Sequence, residues 1–140
     1  MDKIRIPLVK NSLLALSLFG LVIYCSEDPE VGSAELIGKW QLSEVLYDPG
    51  DGSGEFQPVE SDKAIDFLSN GKVRSNGDLC YPNSDSDSPS TGYFILPDSI
   101  LDIDNCAPRP FETSFRVVNS ELIVNYVCIE ACSEKYIKIE

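Results

Sequence analysis

Four thiols carry the first chemistry legible in this chain: Cys80, Cys106, Cys128 and Cys132. Thiols in this number either ligate zinc or pair as disulfides. Zinc sites draw on two closely spaced Cys pairs or on added His, whereas this chain contains no His and its Cys80 and Cys106 stand far apart. Disulfides are therefore expected, in an oxidising, extracytoplasmic compartment. Three pairings are open, and Cys80–Cys106 with Cys128–Cys132 is preferred. In the chain-entropy model the first would contribute about 3.5 kcal/mol by closing a loop of about 27 residues, and the second about 2 kcal/mol. Cys128-x-x-x-Cys132 lacks the Cys-x-x-Cys spacing of redox dithiols, so a structural role is expected.

The carboxylates are the next candidates. Asn83-x-Asp85-x-Asp87 opens like a calcium loop, but Ser88 stands where glycine is needed and Phe94 where the bidentate glutamate belongs. The segment reads as a solvated loop, and no metal or cofactor is expected. Asp48, Asp51, Glu55, Asp78, Asp85, Asp87 and Asp104 are too many to single out an acid–base pair. The chain has no histidine base, no Gly-x-Ser-x-Gly and no phosphate loop, so it is read as non-enzymatic. Tyr47, Phe56, Tyr81 and Phe111, with Arg109 beside them, form a different kind of candidate. Exposed aromatics near a rare cation suit binding of a ligand or a protein, and the plainer alternative is that they cover the core.

The N-terminus gives an address. Lys3, Arg5 and Lys10 precede an apolar run, Leu13 to Tyr24, that falls short of the roughly 20 residues needed to span a bilayer. Residues 1–24 are read as a signal peptide. Val22-Ile23-Tyr24-Cys25 resembles a bacterial lipobox, with Tyr24 where a small residue is usual, and Cys25 is the expected lipidation site. Residues 25–35 would form an acidic tether, similar to the export signals of surface-displayed lipoproteins in some Gram-negative bacteria. The expected location is the outer membrane, facing periplasm or medium. Without residues 1–24, 8 basic residues stand against 22 acidic ones, a net charge of −14. Such a chain is repelled by nucleic acid, which excludes that partner.

Residues 36–140 must position the candidate groups. They read as short alternating runs broken by turn residues, the signature of an all-β meander. Eight strands are expected at 39–47, 64–68, 72–75, 92–96, 100–104, 113–118, 122–127 and 134–139. The expected inward residues are Trp40 and Leu42, Ile65 and Phe67, Leu101 and Ile103, Phe115 and Val117, Tyr126, and Ile137 and Ile139. Eight antiparallel strands can close into an up-and-down barrel and abolish both sheet edges. Strict alternation places the tight turns at one, closed end. The long loops and all four cysteines fall at the other, open end, where binding is expected.

Gly38-Lys39-Trp40 opens the first strand, and Gly-x-Trp at that place resembles the lipocalin signature. Glycine would permit close backbone approach at the barrel base, and tryptophan would plug it. The chain is similar to short lipocalin-like lipoproteins across residues 36–140. The resemblance implies a cation from the last strand over Trp40, which Lys135 or Lys138 would supply here. It also implies a membrane-anchored binding protein for a small apolar molecule. The alternative is a protein-interaction module, such as a protease inhibitor or an accessory subunit of a surface complex.

Overall fold

Period-two alternation of apolar and polar residues can bury only one face of a strand, and here the eight barrel strands turn that face to a common axis. The computed structural model describes residues 33–107 and 112–140. A single helical turn, α1 (Ser33–Leu36), precedes β1 (Gly38–Tyr47), β2 (Gln57–Pro58), β3 (Ala64–Phe67), β4 (Lys72–Ser75), β5 (Ser90–Ile95), β6 (Ile100–Ile103), β7 (Thr113–Val118), β8 (Glu121–Asn125) and β9 (Cys132–Lys138). From β3 to β9 each strand pairs antiparallel with the next, and β1 pairs with both β3 and β9. The result is a closed eight-stranded antiparallel barrel. The two-residue β2 is a ninth strand that hooks onto β1 at Glu44 and Val45, beyond an irregularity between Leu42 and Glu44.

The turns β3–β4, β5–β6 and β7–β8 share one end. Their chemistry suits tight reversal. Gly71 has φ +82°, while Asn119 and Ser120 both adopt left-handed φ of 53° and 65°, as a two-residue hairpin turn requires. Helix α1 lies at this closed end and buries Leu36. The helix therefore runs across the boundary expected between tether and domain at residues 35 and 36.

The core fills the axis. Trp40, Phe67 and Phe115 are buried, along with Leu42, Ile65, Val73, Leu101, Leu122 and Val124. The Phe67 ring meets Phe94 edge-on at 5.4 Å and Phe115 at 5.7 Å between centroids, both within the range of favourable aromatic pairs.

One strand is turned the other way from expectation. In β9 the inward row is Cys132, Glu134 and Tyr136, whereas Ile137 and Ile139 are 47% and 43% exposed. An apolar-in rule assigns the isoleucines to the core. The observed register puts them outside because Glu134 finds buried partners inside, as described below. The ends of β5, β8 and of β9 itself are also shifted from expectation. β5 begins at Ser90, β8 ends at Asn125, and β9 begins at Cys132.

Candidate functional site

At the closed end, Gly38 adopts φ +127°, and a Cβ there would lie 2.2 Å from the Glu140 carbonyl oxygen. Only glycine fits this crossing of the first and last strands. Lys39 N donates to that same carbonyl at 3.1 Å. The Trp40 indole donates to the Leu36 carbonyl at 2.8 Å, satisfying an acceptor that the end of a helical turn leaves open. Lys138 Nζ stands 5.3 Å from the Trp40 ring centroid and donates to the Glu35 carbonyl at 2.7 Å. Lys135, the other expected cation, points outward instead. It pairs with Glu44 at 2.7 Å and covers the Phe56 ring at 4.5 Å.

The open end is shut by a polar cluster. Lys63 and Glu134 are both 0% exposed, with Lys63 Nζ 2.9 and 3.0 Å from the two carboxylate oxygens. Tyr126 OH donates to Glu134 Oε2 at 2.6 Å, and Tyr136 OH donates to the same oxygen. Asn83 completes the set from the β4–β5 loop. Its backbone N–H donates to Glu134 Oε1 at 2.9 Å, and its carbonyl accepts from Lys63 at 2.8 Å. A buried ion pair endures only when its remaining donors and acceptors are also satisfied, and the two tyrosines and the loop backbone do this. Burial lowers the Lys63 ammonium from its ordinary value against the opposing pull of Glu134. Burial also raises both phenols well above theirs, aided by neighbouring Glu134.

Two disulfides stiffen the same end. Cys80–Cys106 ties the β4–β5 loop to the β6–β7 link, and Cys128–Cys132 closes the β8–β9 link on itself. Between the latter cysteines Ile129 is fully exposed, the only large apolar side chain at 100% among the described residues. Its loop is held by Asp48 N donating to the Ala131 carbonyl at 2.8 Å. The Asp48 carboxylate in turn accepts from the backbone N–H groups of Gly50, Gly52 and Gly54. These bonds lower its pKa from the ordinary value.

Among the residues expected at the open end, Tyr47 and Tyr81 are 54% and 53% exposed. Tyr47 lies opposite Cys132 in the β1–β9 ladder, and Tyr81 follows Cys80 of the first disulfide. Phe56 is drawn back against Lys135. Cys25, Arg109 and Phe111 lie outside the described residues. Asp78 and Asn83 make local contacts, capping Cys80 N and Asp85 N. Among the described residues no group of three or more His, Cys, Asp or Glu is placed to hold a metal ion. Sequence reasoning missed Glu134, Tyr136 and Ile129. A carboxylate flanked at two-residue spacing by Cys132 and Tyr136 was the available signal for the first two.

Three grooves lined by described residues open on the surface of the barrel. One groove of about 690 Å³ runs over the outer wall past Lys39, Asp66 and Arg74. An acidic one of about 530 Å³ lies between Glu60–Asp62 and Ser84–Asp87. A mainly apolar notch of about 510 Å³ opens at the closed end beside α1. No family model, no curated protein and no solved structure matches the chain.

Proposed function

We propose that this chain is an outer-membrane, lipocalin-like lipoprotein, anchored through Cys25, that acts as a protein-interaction module through the loops of its open end. The observation that carries this reading is where the apolar side chains lie. The interior is occupied by Trp40, Phe67, Phe115 and their neighbours, while Ile129 is presented outward on a disulfide-closed loop. An exposed apolar side chain on a covalently closed loop can serve as an interface anchor, because the ring limits the backbone freedom lost on docking. The packed axis weighs against carriage of a small apolar molecule inside the barrel. Tyr47 and Tyr81 add contact area at the same end. A photo-crosslinking residue placed at Ile129 or Tyr81, in the cells that make the protein, is expected to give a discrete protein adduct. The same residue at Asp102 or Arg116 on the outer wall is expected to give none. Equal labelling at all four positions would remove the basis of the proposal.

A further inference from the structure

We propose that the closed end is a face that seats on a phospholipid bilayer, with the notch beside α1 as its apolar centre. The notch is lined by Ala34, Ile37, Ser69, Gly71, Phe94 and Leu96. Ile95 and Val118, outward-facing on β5 and β7, are 41% and 43% exposed at the same end. The described chain begins at Ser33, immediately beside the notch. If Cys25 carries the lipid, only residues 26–32 separate it from this face. Seven residues reach at most about 25 Å when extended, so the anchor keeps the notch close to the bilayer.

Charge selects the same face. At the closed end Lys39, Lys72 and Lys138 stand against Glu35, Asp98, Glu121 and Glu140, which leaves it nearly neutral. Lys72 adjoins Gly71 of the notch, with its Nζ 6.0 Å from the Tyr93 ring centroid. At the open end Asp51, Glu55, Glu60, Asp85, Asp87 and Glu130 are exposed. The one cation in the described residues of those loops, Lys63, is buried. Anionic head groups repel the open end and tolerate the closed one. Apolar side chains at the closed end can then enter the boundary between head groups and acyl chains. The open-end interface would point away from the membrane as a result.

This inference rests on the lipoprotein reading, and one experiment separates the two. The full chain is incorporated into phosphatidylcholine–phosphatidylglycerol vesicles containing brominated acyl chains. Val118→Trp and Ile129→Trp are each read against the parent, whose single tryptophan, Trp40, is buried. Fluorescence quenching several-fold stronger in Val118→Trp than in Ile129→Trp is expected. Adding Ala34→Glu and Ile95→Glu, both at exposed positions, is expected to bring quenching in Val118→Trp down to that of Ile129→Trp while flotation with vesicles is unchanged. Flotation with equal quenching at both ends would overturn the seating face and leave the anchor intact. Unchanged quenching after the two glutamate substitutions would also overturn it, since the tether alone would then set the orientation. A parent chain that does not float would overturn the anchor reading and the seating face together.

Discussion

The two ends of this barrel are closed by opposite chemistry. At one end a glycine, a tryptophan and a short helix make an apolar plug, and the polar contacts involve backbone carbonyls. At the other, an ammonium, a carboxylate, two phenols and a loop backbone make a plug in which every group depends on another. An apolar plug loses stability in proportion to the contacts removed. A buried polar network fails more abruptly, because removing one member leaves the others desolvated and unpaired.

The largest effect should come from breaking the polar plug at its centre. Glu134→Ala leaves the Lys63 ammonium buried without its counter-ion and should cost about 3–5 kcal/mol in urea denaturation. A double change, Lys63→Met with Glu134→Leu, should recover much of that loss, because no charge is then left stranded. Failure of the double variant to recover would mean that the tyrosines and the loop, not the ion pair, hold the end shut.

Next in size is the disulfide between loops. Cys80→Ala with Cys106→Ala should cost about 3.5 kcal/mol, and Cys128→Ala with Cys132→Ala about 2 kcal/mol. Hydrogen exchange should rise first in residues 76–89 for the former pair and around Ile129 for the latter. At the opposite end, Gly38→Ala forces a left-handed φ on a residue with a Cβ, costing about 1–3 kcal/mol before the clash with Glu140 is counted.

Alkaline titration separates the two ends without mutation. Tyr126 and Tyr136 keep their protons well above the ordinary value of 10.0 in the folded chain, while the unfolded chain releases them near it. The folded state then binds more protons, so stability contributed by these phenols is present below pH 10 and falls as pH rises beyond it. Lys63 works in the opposite sense. Its folded value lies below the ordinary 10.5, so it gains relative stability as pH climbs toward that value. The Lys63 contribution levels off at its ordinary value of 10.5, so the phenols leave a net loss of stability above that pH. Absorbance of ionised tyrosine should show Tyr126 and Tyr136 titrating together with unfolding. The smallest effect concerns Asp48. Asp48→Ala should speed exchange of the Gly50, Gly52 and Gly54 amides and leave the rest of the barrel unchanged.

Much of the fold was legible because its signals are local. Short alternating runs and the turn residues between them mark the strands, and the gathering of all four cysteines at the open end fits the observed pairing without singling it out. What escaped was non-local. The inward register of β9 depends on Glu134 meeting Lys63, which lies 71 positions earlier in the chain; without that partner, an inward carboxylate looks wrong and Ile137 and Ile139 look right. Likewise β2, only two residues long and ending in Pro58, carries no periodicity of its own. Phe56 was legible as a loop aromatic, but its contact with Lys135 follows from the side of β9 on which that lysine emerges. The exposure of Ile129 has no periodic signal in the sequence, because it sits in the ring closed by Cys128 and Cys132.

The packed axis is the claim on which the division between the two ends depends, and native mass spectrometry of the protein taken from its own cells tests it most directly. The expected result is the mass of the chain with its two disulfides and no non-covalently held small molecule. A stoichiometric small apolar molecule that departs only on unfolding would contradict it, and would place the function inside the barrel instead of on the loops around Ile129.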